Sequence, residues 1–470
     1  MREPGEKGQF GLCYTVRVKS GVTARQRVEL GLIPAWSSES EAPETVAVQE
    51  RMEWLGAAGM SVAVIDGYDI AWEAGYGLAD AVERTPVRSG TLFLAGSISK
   101  SVNAAGVMRL VERGELDLDR DVNEFLRSWK VPAQAGWQAI VTLRQLLSHT
   151  AGTTVHGFPG YGRGTALPTT ADILDGRRPA NTPPVRVNQL PGVSFRYSGG
   201  GTTIVQQLLV DVCGLSYPDL MRALVLEPAG MTSSTFEQPP PPPLVERCAS
   251  GHGWYGNRIE GRWHLYPEMA AAGLWTTAGD LARFALEIQR SLRGESDLLT
   301  PDGAREMLTE PAGSSSYGLG FMLQGDGGSA RFGHGGADEG FFAGLWAYRQ
   351  RGQGAAVMTN SNPGTQMISE VLNGIARAYD WPGWLREAPA GDGEIDPGHA
   401  GTYQADRVRI GVRVDDTVWL EVENQPPVRL LPQPDGGYRL HGLEGSVRID
   451  GHLLVLKQEG GQLEARRVAE

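Results

Sequence analysis

The spacing of apolar residues divides the chain into helical, strand-like and irregular stretches. A helical period over residues 44–56 is followed by apolar runs at 60–65 and 68–72 around the turn Asp66-Gly67, which predict a helix and then a β-hairpin. A longer helical pattern covers residues 97–113 and follows a short apolar run. The first part of the chain therefore predicts helices that pack against a sheet.

The middle of the chain is rich in Gly and Pro and favours short helices and loops, which predicts an all-helical subdomain with helices at 142–148, 202–213, 217–226 and 277–290. Strand-like runs then return before one more helical pattern, with the strands at 317–323, 341–346 and 355–358 and the helix at 367–379. Together with the first hairpin, these strands predict one antiparallel sheet flanked by helices, an α+β fold.

The C-terminal part has a different pattern. Residues 381–397 are rich in Pro, Gly and acidic residues, which is typical of a linker. Beyond them, short alternating runs predict a small β-barrel or β-sandwich with strands at 408–414, 418–422, 428–431, 446–449 and 453–456. The predicted domains are an N-terminal extension (1–42) with a strand-like run at 10–18, a main domain (43–385), a linker (386–397) and a C-terminal β-domain (398–470).

Charge and composition exclude several classes of function. The net charge is −12, from 55 acidic and 43 basic residues, which opposes binding to phosphate backbones, so no nucleic-acid partner is expected. The chain has no window of eighteen apolar residues and its start lacks the apolar segment of a secretory signal, so we expect no membrane partner and a cytoplasmic location. Three separated cysteines without CxxC spacing, and histidines without HExxH spacing, predict neither a disulfide framework nor a metal site, and no cofactor is expected.

Lysine is rare in this chain, which has five lysines and 38 arginines. Arginine keeps its proton at ordinary pH, whereas a lysine amine can lose it, so a retained lysine is a candidate base. Lys100 follows Ser97 by three residues in the predicted first turn of a helix, which brings amine and hydroxyl to one face. A hydroxyl becomes a good nucleophile when a neighbour takes its proton, and a helix N-terminus favours the oxyanion. Ser97 is therefore the candidate nucleophile and Lys100 its candidate base.

Further motifs follow in a fixed order over residues 44–380: SISK (97–100), LLSHTAG (146–152), FRYSG (195–199), LEPAGM (226–231), GLWTTAGDLARF (273–284) and GHGGA (333–337). In this order they resemble the motifs of the serine β-lactamase and penicillin-binding-protein superfamily, in the branch of class C β-lactamases, D-aminopeptidases and family VIII carboxylesterases. The chain contains no G-x-S-x-G, the nucleophile motif of α/β-hydrolases.

The resemblance implies a β-lactamase-like fold and a serine hydrolase that forms an acyl-enzyme on Ser97. Lys100 and Tyr197 would share the base role, and Tyr197 would return a proton to the leaving group. The backbone N–H groups of Ser97 and Ala337 would form the oxyanion hole. Four further residues would line the substrate site: His334, Gly335, Gly336 and Gly199. The histidines at 149, 156, 252 and 264 are interpreted as structural or loop residues.

Three positions depart from the pattern of the superfamily. Gly199 stands where many relatives have asparagine, Gly335 where they have threonine, and His334 where they have lysine. These changes remove an amide, a hydroxyl and a permanent cation that would hold a peptide-like acyl group or a substrate carboxylate. We therefore expect a carboxylesterase that cleaves small esters, with a D-stereospecific peptidase or amidase, or a weak β-lactamase, as the alternative.

A hypothesis from another class is a penicillin-binding receptor that is acylated without turnover. The missing carboxylate-binding residues and the absence of a membrane segment oppose it. The expected partner is a small-molecule ester or amide, and assembly into a homo-oligomer stays open. The C-terminal β-domain would either shape the cleft or serve in packing, and the sequence favours neither.

Overall fold

The computed structural model describes residues 22–32, 45–253, 256–385, 393–405, 408–422, 425, 427–441, 445–458 and 461–468. The chain divides into two compact units, one from Gln49 to Leu385 and one drawn from Met1–Val48 and Arg386–Glu470. The strand-like run at 10–18 and residues 386–392 of the predicted linker lie outside the described residues. The boundaries after residues 42, 385 and 397 stay predictions.

The helices of the described residues are α1 Ala24–Leu30, α2 Val48–Leu55, α3 Ser99–Glu112, α4 Val122–Phe125, α5 Leu143–Leu147, α6 Thr170–Asp175, α7 Gly199–Cys213, α8 Tyr217–Met221, α9 Pro242–Val245, α10 Met269–Ala272, α11 Ala278–Arg293, α12 Pro301–Met307 and α13 Gly364–Ala378. A π-helical turn, Arg222–Leu226, continues α8. None of these helices has both the length and the apolar character that crossing a bilayer requires.

The strands before residue 360 are β1 Gly59–Asp66, β2 Asp69–Asp80, β3 Thr85–Pro86, β4 Phe93–Leu94, β5 Tyr161–Gly162, β6 His264–Leu265, β7 Trp275–Thr276, β8 Met322–Gln324, β9 Arg331–Asp338, β10 Phe341–Tyr348 and β11 Gly354–Thr359. Seven of them form one sheet in the order β3-β2-β1-β11-β10-β9-β8, and its neighbouring strands are antiparallel. The predicted antiparallel sheet is confirmed; β11 is its central strand and pairs with β1 of the N-terminal hairpin.

Helices pack on both faces of this sheet because successive side chains of a strand point to opposite sides. Leu345 of β10 and Met358 of β11 belong to the larger hydrophobic core together with residues of α11. On the other face, Gly344 has no side chain, and a Cβ there would lie 2.7 Å from Ile368 of α13. The sheet is therefore covered by α11 on one face and α13 on the other, which confirms the predicted α+β arrangement.

One predicted strand is largely wrong. Of residues 317–323, only the last two belong to β8, which begins at Met322. Gly320 has a positive φ of +82°, and a Cβ there would lie 2.6 Å from Ala104 of α3. The chain bends at this glycine to pack against α3, and the Ser101 hydroxyl donates to the Gly320 carbonyl at 2.6 Å. Contact with the helix that follows Ser97 thus replaces an extended conformation.

The C-terminal strands close into a barrel made of β12 Gly401–Ala405, β13 Val408–Val414, β14 Val418–Val422, β15 Val428–Pro432, β16 Tyr438–Leu440, β17 Ser446–Asp450, β18 Leu453–Gln458 and β19 Gly461–Arg467. Each pairs with the next in antiparallel register, and β12 pairs with β19 to close the ring. Its interior is filled by apolar side chains, among them Tyr403, Ile410 and Leu454. The predicted all-β domain is confirmed, and of the two forms expected it is a barrel.

A buried ion pair ties α2 to α13. The Arg51 guanidinium donates to both carboxylate oxygens of Glu370, at 2.7 Å and 2.6 Å, and the Glu370 side chain is only 1% exposed. Removing one partner of such a pair leaves a buried charge without compensation.

We therefore expect Arg51→Met to lower the free energy of unfolding by about 3 kcal/mol. The control is Arg305→Met, which breaks an exposed pair with Asp302 and should cost less than about 1 kcal/mol. Urea unfolding measures both values. Equal losses of unfolding free energy in the two variants would contradict the larger contribution expected from the buried pair.

Candidate active site

Ser97 lies in a 3₁₀ turn, Gly96–Ile98, directly before α3, so it precedes the helix that the sequence predicted to contain it. Two glycines allow strand β9 to approach this turn. Gly96 has a φ of +50°, and a Cβ there would lie 2.5 Å from the Ala337 nitrogen. A Cβ on Gly336 would lie 1.9 Å from the Ala95 carbonyl oxygen. Since real Cβ atoms do not come this close, the contact between backbones requires glycine at both positions.

The backbone N–H groups of Ser97 and Ala337, predicted to form the oxyanion hole, lie on the two sides of this contact. β8 pairs only with the first three residues of β9, Arg331–Gly333. The following residues of β9 therefore face the Ser97 turn instead of another strand. This arrangement brings together the two segments from which donors to an oxyanion would come.

Lys100 is on the first turn of α3 and is 4% exposed. Its Nζ lies 2.9 Å from the Ser97 Oγ and 2.8 Å from the Ala271 carbonyl oxygen. Both partners are uncharged oxygens, and the amine is 5.0 Å from the ring centroid of Tyr197. The predicted nucleophile and base are thus in direct contact, at a distance that permits proton transfer.

The buried carboxyl group of Asp338 lies near the Lys100 amine without forming an ion pair with it, and a second buried carboxyl, that of Glu268, lies near Asp338. Burial raises the pKa of Asp338 well above its usual range, although the Lys100 charge opposes this rise. Burial also raises the pKa of Glu268 to about 7. The Asp338 carboxyl accepts a hydrogen bond from the Gly96 backbone N–H. Asp338 therefore links strand β9 to the turn that carries Ser97, and burial favours the neutral form of its carboxyl.

Tyr197 is fixed from both sides by His149. The Arg196 N–H donates to the His149 carbonyl at 2.7 Å, and the Ser198 N–H donates to the His149 Nδ1 at 3.2 Å. The His149 ring lies 4.3 Å from the Tyr197 ring, centroid to centroid. His149 has a φ of +59°, a conformation that costs energy for any residue except glycine and persists where the surroundings enforce it. We interpret it as the residue that orients Tyr197.

His334 is buried in the same site, close to the Tyr197 ring. Its Nε2 lies 2.8 Å from the Tyr317 hydroxyl, and its Nδ1 bonds with the Gly335 carbonyl. A carbonyl only accepts, so Nδ1 carries the proton and Nε2 accepts from Tyr317. Burial, assisted by the charge of Lys100, lowers the pKa of His334 to about 4. The GHGGA motif (333–337) therefore presents a neutral histidine ring where the superfamily has the cation of a lysine.

The glycines expected to line the substrate site differ in their surroundings. Gly335 is exposed, and a Cβ added there would meet no atom within 4 Å, so this part of the strand borders open space. Gly336 is covered by the Ser97 turn. Gly199 is buried at the start of α7, and a Cβ there would lie 2.9 Å from Phe158.

Sequence reasoning missed several residues of the site. His149 and His156 were interpreted as structural or loop histidines, yet both rings lie close to Tyr197, that of His156 at 5.0 Å between centroids. Tyr317 and Phe158 received no assignment. His149 lies within the LLSHTAG motif, and this was a signal that could have been used. Phe158 had no comparable signal because forty residues, which include β5 and α6, separate it from Gly199 in the sequence.

The fold and the ordered motifs define the class: the chain is of the serine β-lactamase and penicillin-binding-protein type. A family model described as Beta-lactamase matches residues 46–376, and the chain belongs to that family. The structure of an octameric penicillin-binding protein homologue from Pyrococcus abyssi shares the fold, with a TM-score of 0.61 at 23% identity over 88% of this chain and 97% of that one.

Two curated relatives carry different activities in their names. The putative penicillin-binding protein PbpX of Bacillus subtilis (strain 168) is 26% identical over 282 residues, which cover 59% of this chain and 64% of that protein. Esterase EstB of Burkholderia gladioli is 30% identical over 189 residues, which cover 37% of this chain and 46% of that protein. The chain thus spans less than two thirds of either relative.

The close contact between β9 and the Ser97 turn gives a first prediction. We expect Gly336→Ala to force the two backbones apart and to lower the activity at least 100-fold, the usual effect of losing an oxyanion-hole donor. Gly328→Ala is the control, because a Cβ there meets no atom within 4 Å. The measurement is kcat/KM on a small activated ester, with circular dichroism to confirm folding. Similar activity of the two folded variants would contradict the proposed contact.

The buried His334 gives a second prediction. Its pKa is about 4 in the folded protein against an ordinary value of 6.5, so between these values the unfolded chain binds more protons. Stability present above pH 6.5 is therefore lost as the pH falls towards 4. We expect His334→Asn to reduce the loss of unfolding free energy between pH 7 and pH 5 by about 2 kcal/mol. Urea unfolding at the two pH values checks this, and an unchanged loss would contradict it. His149, whose pKa burial also lowers, is retained and keeps its own contribution.

Proposed function

We propose that this protein is a carboxylesterase that cleaves small, neutral esters through an acyl-enzyme on Ser97. The observation that carries the proposal is the 2.9 Å contact between Lys100 Nζ and Ser97 Oγ, next to positions 334–336 of β9, which carry no permanent cation. Membership of the Beta-lactamase family supports a serine hydrolase. The ester preference is supported by the residues at positions 199, 334 and 335.

The proposed acylation step follows from these positions. Ser97 Oγ attacks the carbonyl carbon of the ester while Lys100 Nζ takes the hydroxyl proton. The oxygen of the tetrahedral intermediate accepts from the N–H groups of Ser97 and Ala337. The bond between the carbon and the leaving oxygen then breaks, and the alcohol leaves with a proton delivered through Tyr197.

Deacylation repeats the sequence with water as the nucleophile. Water attacks the acyl-Ser97 carbonyl carbon and gives a proton to Lys100, the base of the acylation step. The Ser97 oxygen then leaves and recovers its proton. The products are a carboxylic acid and the free enzyme. Lys100 touches two uncharged oxygens, and among the described residues it forms no ion pair that the cycle would have to break.

The residues that would recognise the substrate favour an ester over a β-lactam or a peptide that ends in D-alanine. Those substrates carry a carboxylate, which strong sites bind with a cation and a hydroxyl. Here His334 is buried with a pKa of about 4, and Gly335 has no side chain. The name of the relative EstB agrees with the ester reading, whereas the name of PbpX keeps penicillin binding as the second candidate. A homo-oligomer stays a prediction, supported by the octameric neighbour.

The test compares Ser97→Ala with the wild type on p-nitrophenyl acetate, a chromogenic cephalosporin and D-alanyl p-nitroanilide. We expect the ester to be the best substrate and Ser97→Ala to lose at least about 1,000-fold in kcat. Ser101→Ala is the control on the same helix, since its hydroxyl only donates to the Gly320 carbonyl, and it should stay within a few-fold of the wild type.

Each alternative gives a different result in this assay. Faster cleavage of the anilide than of the ester would favour the peptidase, and a stable cephalosporin adduct, detected by mass spectrometry and without turnover, would favour the receptor. Equal ester release by the wild type and Ser97→Ala would contradict the proposed nucleophile.

A further inference from the structure

The start of α7 is packed tightly against the segment from Thr154 to Phe158. Three consecutive glycines, Gly199, Gly200 and Gly201, form its first turn. A Cβ on Gly199 would lie 2.9 Å from the Phe158 ring and 3.1 Å from the His156 carbonyl oxygen, and a Cβ on Gly200 would lie 2.7 Å from the Thr154 carbonyl oxygen. The segment from Thr154 to Phe158 therefore fills the space in which side chains of this turn would lie.

The hydrogen-bond donors of the same turn are also occupied. The Gly199 N–H donates to the His156 carbonyl at 2.9 Å, and the Gly200 N–H donates to the Val155 carbonyl at 3.0 Å. The Gly201 N–H donates to the Ser198 Oγ at 3.0 Å. A helix N-terminus with free N–H groups can bind an anion or a carbonyl oxygen. Here these three donors bond within the protein, so the turn offers them to no ligand.

The position of this turn links it to the reacting groups. Tyr197 is two residues before Gly199, and its ring lies 5.0 Å from Lys100 Nζ. The His156 ring lies 5.0 Å from the Tyr197 ring. Phe158, two residues further, packs against the main hydrophobic core and is only half-buried, so the core does not cover it completely. An apolar surface thus takes the place of the asparagine amide beside Tyr197.

We propose that Phe158, seated against Gly199, forms an apolar subsite for the acyl group of the substrate. This inference rests on the proposed function and specifies its substrate class: esters of unbranched, hydrocarbon acids of a few carbons, in preference to esters of N-acylated amino acids. A hydrocarbon chain gains by burial against the ring, whereas an acyl amide would lose its hydrogen bonds to water without replacement.

The test uses three p-nitrophenyl esters that share one leaving group: acetate, butyrate and N-acetylglycinate. Acetate is too short to gain much from the subsite and serves as the internal reference. We expect the wild type to favour butyrate over N-acetylglycinate. Phe158→Ala should lower kcat/KM for butyrate about 10-fold, mainly through KM, with little change for acetate.

Two further variants separate the subsite from general damage. Phe158→Leu keeps an apolar wall and should keep the preference for butyrate, which also covers the case in which Phe158→Ala folds poorly. The double variant Phe158→Ala/Gly199→Asn makes room for an amide and supplies it. We expect it to raise the ratio of kcat/KM for N-acetylglycinate over butyrate at least 10-fold, whereas Gly199→Asn alone places its side chain against Phe158 and should not.

The outcomes distinguish the two proposals. Turnover that depends on Ser97, combined with unchanged ratios between the esters in folded Phe158 variants, would overturn the subsite alone. An equal loss on acetate and butyrate would overturn it as well. Absence of turnover that depends on Ser97 with all three esters would overturn the proposed function, and the subsite with it.

Discussion

The site depends on a contact between two backbones. Strand β9 runs so close to the turn Gly96–Ile98 that neither Gly96 nor Gly336 has room for a side chain. Through this contact the sheet sets the position of Ser97, while α3 sets that of Lys100. The Asp338 carboxyl on the same strand accepts a hydrogen bond from the Gly96 N–H. The proposed nucleophile, base and oxyanion donors thus derive their geometry from one junction of sheet and helix, and precise positioning of this kind accounts for much of enzymatic rate enhancement.

Around that junction, burial favours the neutral forms of the titratable side chains. Lys100 contacts two uncharged oxygens, and burial lowers the pKa of His149 and His334 and raises that of Asp338 and Tyr317. These shifts favour the neutral form of each group. A site of this kind has little to hold an anionic substrate, which agrees with the absence of the cation and hydroxyl that the superfamily places on this strand. His149, itself in a strained conformation with a positive φ, accepts hydrogen bonds from the residues on both sides of Tyr197 and thereby fixes that segment.

The sequence was sufficient for features that depend on local spacing. The Ser97–Lys100 pair follows from helical periodicity, and the strands at 408–414 and 418–422 follow from alternation. Predictions from the pattern of apolar residues were wrong where tertiary contacts decide the conformation. Residues 317–321 look like a strand but bend at Gly320 to meet α3, and β9 is too rich in glycine for its apolar pattern to show. Phe158 and Tyr317 act across long separations in sequence, so no local pattern could assign them to the site.

The central claim is that the Lys100 amine activates the Ser97 hydroxyl. The most direct measurement is the rate at which ethyl p-nitrophenyl methylphosphonate, a neutral phosphonate diester, labels the protein, followed by peptide mass mapping, in the wild type and in Lys100→Met. Phosphonylation forms a bond from Ser97 Oγ to phosphorus and releases p-nitrophenolate, so it reports on activation without deacylation. The account predicts a single adduct on the peptide that contains Ser97, formed at least about 100-fold more slowly in Lys100→Met. Labelling at equal rates, or on another residue, would contradict it.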